Sequence, residues 1–130
     1  MGAKQKPVIL VADDDKFIRD RLSVLFQKEG YSVKTAKSGA EAMAAVEEGG
    51  IDIAIIDYHM EDRTGGEVAE DIKKKAPEVP VIMMTGDESI ELERHVREKG
   101  VFAYFMKPLE LEMLKKIVAA ARKSVSKSVN

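Results

Sequence analysis

The chain has 130 residues, 45% hydrophobic and 34% charged, which suits one compact domain burying roughly 70% of its unfolded surface around a single core. Its 21 basic and 23 acidic side chains are interspersed and leave a formal net charge of −2, so neither nucleic acid nor an anionic membrane is an expected direct partner. Cysteine is absent, which excludes disulfides and thiolate metal sites and fits a reducing, cytoplasmic setting; no stretch resembles a signal peptide or the roughly 20 apolar residues of a membrane span.

Residues 1–6 read as a tail. The apolar run Val8–Ala12 then stops at Asp13, the pattern of a buried strand reaching the edge of its sheet. Ile18, Leu22 and Leu25, with Phe17 and Phe26 beside them, have helical spacing, Asp15 is placed to cap the helix, and Gly30 closes it by taking a left-handed conformation. Residues 31–36 read as a second strand. Ser38 and Glu41 have the form of a capping box, opening a helix with Met43 and Val46 inward that ends at Gly49 and Gly50. The third apolar run, residues 51–56, stops at Asp57. Thr64 and Glu67 repeat the capping device for a helix carrying Val68 and Ile72, which Pro77 terminates by lacking an amide donor. The fourth run, residues 79–84, stops at Thr85; a mostly polar helix follows over about 88–99, with Ile90, Leu92 and Val96 inward and Gly100 at its end. The fifth run, residues 101–106, stops at Lys107. A last helix buries Leu111, Leu114, Ile117, Val118 and Ala121, and residues 123–130 read as a polar tail.

Five strand–helix units with short connections imply a parallel sheet covered on both faces, since parallel strands need crossovers of one hand. The expected fold is thus a doubly wound α/β sandwich over residues 7–122. Ligands of such sheets bind beyond the carboxyl ends of the strands, where Asp13, Asp14, Asp57, Thr85 and Lys107 all fall. Three carboxylates, a hydroxyl and an amine on one rim suit a divalent cation and a phosphoryl group.

Each residue also has a plainer explanation. Acids such as Asp13 and Asp14 are common at helix starts, where they complement the dipole. Asp57 resists that account: it ends an apolar run and is costly to desolvate unless a cation or Lys107 compensates it. Mutual repulsion among three carboxylates is relieved by a hard cation with oxygen ligands, Mg²⁺ being the natural candidate and Mn²⁺ its substitute. Thr85 and Lys107 mean little alone; beside a metal they supply a donor and a fixed charge to a phosphoryl group on Asp57. His59 has no second His or Cys near it in sequence, so a structural or rim role outweighs a zinc site. Tyr104 is by default a core aromatic.

Taken together, Asp13-Asp14-Asp15 after Val8–Ala12, Asp57 with Gly65 eight residues on, Thr85-Gly86, and Lys107-Pro108 resemble the receiver domain of two-component response regulators. The resemblance runs from about residue 7 to residue 122. It implies a flavodoxin-like fold with strand order 2-1-3-4-5, for which a family member is a standard example. It also implies that Asp57 is the phosphoacceptor and that Asp14, Asp57 and the His59 carbonyl ligate Mg²⁺, with Asp13 acting through water. Thr85 and Lys107 would contact phosphoryl oxygens, the lysine aimed by a cis peptide before Pro108. Tyr104 would become buried as Thr85 moves, linking the chemistry to the face of the fourth helix, fifth strand and fifth helix. A sensor histidine kinase or histidine phosphotransfer protein would be the donor and an effector protein or domain the reader; a phosphorylation-dependent dimer is compatible with both.

Three positions are expected to tune the lifetime of the phosphorylated state. Glu61 stands where the family commonly has proline, which removes a restraint and adds a carboxylate near the metal. His59 and Asp87, two residues beyond Asp57 and Thr85, occupy positions whose side chains in the family flank the approach of attacking water. The chain stops soon after its last helix, as expected of a stand-alone regulator or of a receiver from a longer protein. Two other classes fit less well. A phosphohydrolase of the haloacid dehalogenase type would carry an acid where His59 stands and its nucleophile after the first strand. A phosphorylation-independent binding module would have lost an acid or the lysine.

Overall fold

The computed structural model describes residues 6–86, 94, 100–107 and 110–129. Five strands form at the apolar runs: β1 (Val8–Ala12), β2 (Ser32–Ala36), β3 (Ile53–Asp57), β4 (Val81–Thr85) and β5 (Ala103–Met106). All pair in parallel in the order β2-β1-β3-β4-β5, the flavodoxin-like order implied by the resemblance. Chain reversals are made by α1 (Lys16–Lys28), α2 (Gly39–Glu48) and α3 (Gly65–Lys75), and a C-terminal helix (Leu111–Val129) follows β5.

A sheet buried on both faces needs apolar residues at successive positions, and alternation divides them between two cores. Leu10, Ala12, Ala54, Ile56, Val81 and Met83 pack against Ala42 and Val46 of α2 and Val68, Ala69 and Ile72 of α3. Ile9, Val11, Ile53, Ile55, Ile82, Met84 and Phe105 pack against Leu22 and Phe26 of α1 and Leu114, Val118 and Ala121 of the C-terminal helix. Burying each larger aliphatic side chain contributes roughly 1.5–3 kcal/mol, so these two layers hold the strand ends in place.

Helix ends follow local chemistry. Asp15 caps α1 by accepting from the Phe17 amide at 2.9 Å, and Thr64 with Glu67 forms a complete capping box on α3. Ser38 accepts from the Glu41 amide at 3.1 Å, but Glu41 turns back to the Lys37 amide at 3.0 Å, one residue further out than a capping box requires. Gly30, Gly49 and Gly50, after α1 and α2, have positive φ, as helix-terminating glycines should, and Gly100 also has positive φ.

Three expectations are revised. Phe17 is 68% exposed: Leu22 and Phe26 supply the fully buried contacts of α1, and Phe17 lies off that stripe. The C-terminal helix runs past Arg122 to Val129, where a polar tail was expected. Lys123 to Val129 contains only Lys, Ser and Val, with neither glycine nor proline to stop the helix, and a polar composition alone does not end one. Strand β2 begins at Ser32 rather than at residue 31, because the Tyr31 amide is taken by the Phe26 carbonyl at 3.0 Å in the turn after α1. Apart from Arg94, the expected helix over about 88–99, with Ile90, Leu92, Val96 and His95, lies outside the described residues, as do Asp87 and Pro108. Among the described residues no helix is long and apolar enough to cross a membrane.

Candidate functional site

Register brings the polar strand ends level. Ala12 pairs with Ile56, Asp57 with Met84, and Thr85 with Met106, so Asp13 and Lys107 each stand one residue past the end of a strand beside Asp57 or Thr85. Asp13, Asp57 and Thr85 are buried and Asp14 is exposed. Carboxylate oxygens of Asp13, Asp14 and Asp57 lie within 4.8 Å of one another. Lys107, its side chain 23% exposed, reaches between two of them, at 3.1 Å from Asp13 Oδ2 and 3.2 Å from Asp57 Oδ1.

The backbone fixes this arrangement. The Asp13 amide donates to the Ala36 carbonyl at 3.0 Å, the Asp13 carbonyl accepts from Arg19 Nη1 at 2.8 Å, and Asp13 Oδ1 accepts from the Asp15 amide at 2.9 Å. The Lys107 amide donates to the Thr85 carbonyl at 2.8 Å, which ties the residue after β5 to the end of β4. After Asp57, the Tyr58 amide donates to the Met84 carbonyl at 2.8 Å and the Gly65 amide to the Tyr58 carbonyl at 2.7 Å. Residue 65 must be glycine: a Cβ there would stand 2.5 Å from the Asp57 carbonyl oxygen and 2.8 Å from the Tyr58 Cα. His59 pairs with Thr64 in an isolated antiparallel bridge, closing the loop, and its ring meets Tyr58 edge-on.

Electrostatics match the geometry. Burial, reinforced by Asp13 and only partly offset by Lys107, raises the Asp57 pKa to about 6. Asp13 is also raised, by burial first, against the Asp15 amide and Lys107, which favour its charge. For Lys107, burial acts to lower the pKa, but Asp57 and Asp13 together outweigh it and the net shift is upward. Carboxylates that resist ionisation because they are buried together, with one ammonium among them, form an oxygen donor set that fits a hard divalent cation.

Of the residues singled out in the sequence, Asp13, Asp14, Asp57 and Lys107 meet at one point, and Thr85 lies at the adjoining strand end. Alternation puts Tyr104 on the same sheet face as Thr85, and it packs half-buried against the core that contains Met83. His59 and Glu61 are exposed on the loop after Asp57.

Two participants were not singled out. Arg19 secures the Asp13 backbone from the first turn of α1. Asp62, in the loop after Asp57, accepts from the Gly39 and Ala40 amides of α2, both at 2.9 Å, and these bonds hold its pKa below the usual carboxylate value. An acid five residues after Asp57 was the only sequence signal, and its partners lie 22 and 23 residues away.

The model of the response regulator receiver domain matches residues 9–119. The transcriptional regulatory protein GlrR of Escherichia coli K12 is 34% identical over 106 residues, covering 82% of this chain but 24% of that protein. Like it, the relatives ZraR of Salmonella typhimurium and NtrC of Bradyrhizobium are about four times as long as the segment they share with this chain. A CheY-like receiver domain protein from Methanospirillum hungatei JF-1 superimposes with a TM-score of 0.92 at 30% identity, over 95% of this chain and 99% of that one. A receiver domain protein from Clostridium thermocellum gives 0.88 at 28% identity, with the same coverage. The sheet order agrees with these matches, and the chain belongs to the response regulator receiver domain family, the phosphoacceptor domains of two-component signalling.

Proposed function

We propose that Asp57 is the residue phosphorylated, from a phosphohistidine on a sensor histidine kinase or histidine phosphotransfer protein, in a reaction dependent on Mg²⁺ or Mn²⁺. The observation carrying this reading is the burial of Asp57 against Asp13 with Lys107 bridging both, in a chain of this family. In the transfer the N–P bond of the donor breaks and a bond forms between phosphorus and an Asp57 carboxylate oxygen; the histidine nitrogen keeps the electron pair and takes a proton from solvent. Lys107 gives up part of its contact with Asp57 and Asp13 to face a phosphoryl oxygen, and the Thr85 hydroxyl donates to another, so donors set in advance stabilise the developing charge. The cation would be held by Asp14, Asp57 and the His59 carbonyl, with Asp13 acting through water, and supplies charge neutralisation at the phosphoryl oxygens.

Movement of Thr85 toward the phosphoryl group draws Tyr104 after it along their shared sheet face, and an effector protein or domain reads the altered surface. His59, Glu61 and Asp87 set the lifetime of the acyl phosphate by shaping the approach of water. The domain promotes its own phosphorylation and dephosphorylation and turns over no external substrate; its setting is the cytoplasm, without membrane or direct nucleic-acid contact.

The test is incubation with Mg²⁺ and acetyl phosphate followed by intact-mass measurement. One phosphoryl group is expected on the protein and none on Asp57→Asn. Equal labelling of both, or labelling undiminished in EDTA, overturns the assignment.

A further inference from the structure

The loop between Asp57 and α3 is anchored outside its own hairpin. Its base is closed by the His59–Thr64 bridge and by the Gly65 amide on the Tyr58 carbonyl. Its tip is held by Asp62, whose two oxygens each take one amide from the first two residues of α2, Gly39 and Ala40, at 2.9 Å. Ser38 takes the third amide, from Glu41, and the Ala42 amide already bonds the Ser38 carbonyl, so the amides of Gly39, Ala40, Glu41 and Ala42 all have acceptors. Arg63 reinforces the anchor: it pairs with Asp71 on α3 and lies against Gly39, where a Cβ would run into its side chain.

A helix does not require this distant cap, because Ser38 already supplies the local one. For the loop it matters more. Glu61, immediately before Asp62, lacks the fixed φ of a proline, so no ring restrains the chain between Met60 and Asp62. That stretch follows directly on His59, whose carbonyl has to stand in one place to serve a cation.

We infer that Asp62 is a positioning residue: by fastening the loop tip to the start of α2, it sets the place of the His59 carbonyl and so the affinity of the site for Mg²⁺. This rests on the phosphoacceptor reading given above. Residues that orient a metal ligand without touching the ion typically change affinity by about ten- to a hundredfold when removed.

The experiment compares Mg²⁺ titrations by calorimetry of the full chain, Asp62→Ala, Asp62→Asn and Ser38→Ala. Ser38→Ala weakens the same helix end without releasing the loop. We expect Asp62→Ala to weaken Mg²⁺ binding about tenfold, Asp62→Asn, which keeps one acceptor, to weaken it less, and Ser38→Ala to leave it unchanged. The Mg²⁺ concentration giving half-maximal phosphorylation by acetyl phosphate should rise in parallel with the loss of affinity, and saturating Mg²⁺ should restore most of the lost rate. Unchanged affinity in Asp62→Ala overturns the inference, as does an equal loss in Ser38→Ala, which would mark a merely structural cap. Should Asp62→Ala fail to fold, Asp62→Asn against Ser38→Ala decides by the same criterion. Failure of the unmutated chain to bind Mg²⁺ or accept a phosphoryl group would reject the site reading itself, a different outcome from normal binding that Asp62 does not influence.

Discussion

Asp57 is held in a condition that folding alone does not favour. Its folded pKa of about 6 lies above the ordinary 3.8, so folding favours the protonated carboxyl. The resulting stabilisation is complete below the ordinary value and is lost as pH rises through about 6. In EDTA, Asp57→Asn is therefore expected to be more stable than the parent by roughly 3 kcal/mol at about pH 7.5, and nearly equal at about pH 4. Urea unfolding at both pH values checks this, and a gap that shrinks with rising pH would contradict it. Lys107→Ala acts in the opposite direction near neutrality, since it leaves Asp13 and Asp57 facing each other unpaired. A loss of a few kcal/mol in EDTA is expected, part of it restored by Mg²⁺, with phosphorylation by acetyl phosphate strongly slowed. These residues were legible because each interrupts an apolar run, a signal that needs no knowledge of the partner. Asp62 gave no such signal: an exposed acid in a loop looks the same whether it meets solvent or a helix 22 residues earlier.

At the scale of elements, what could be read was whatever closes within a few residues. The Thr64–Glu67 box on α3 is complete as its spacing suggests, and Thr64→Ala should lower stability by about 1 kcal/mol with the site intact, measurable by denaturant unfolding. Gly65→Ala, one residue on, differs in kind, because its methyl would overlap the backbone of Asp57 and Tyr58. The loop has to shift, and Mg²⁺ affinity should fall more than stability. An affinity equal to that of the parent would show that the close approach is not required. Glu41 and Lys123 illustrate the limits of such reading. Glu41 occupies the right box position but bonds one amide further out, and the segment from Lys123 continues as helix although its sequence is mostly polar.

For the whole molecule, strand order came from the resemblance, whereas alternation of strand and helix needed only the pattern of apolar residues. Neither could tell which side chains of α1 lose contact with water, since Phe17 and Phe26 are equally apolar and only packing distinguishes them. Binding at the rim couples to global unfolding: at about a hundred times its dissociation constant, Mg²⁺ should stabilise the fold by ~2.7 kcal/mol, visible as a higher melting temperature that EDTA reverses. The absence of any such shift would contradict a cation site among the three acids. The bridging lysine also sets the charge balance of that rim. Three carboxylates against one ammonium leave two negative charges in excess, which a divalent cation would cancel; converting Asp57 to an acyl phosphate, as proposed, would then add a single unit to a neutral centre. On that proposal, what the rest of the protein would have to detect is one elementary charge, delivered where both layers of packing end.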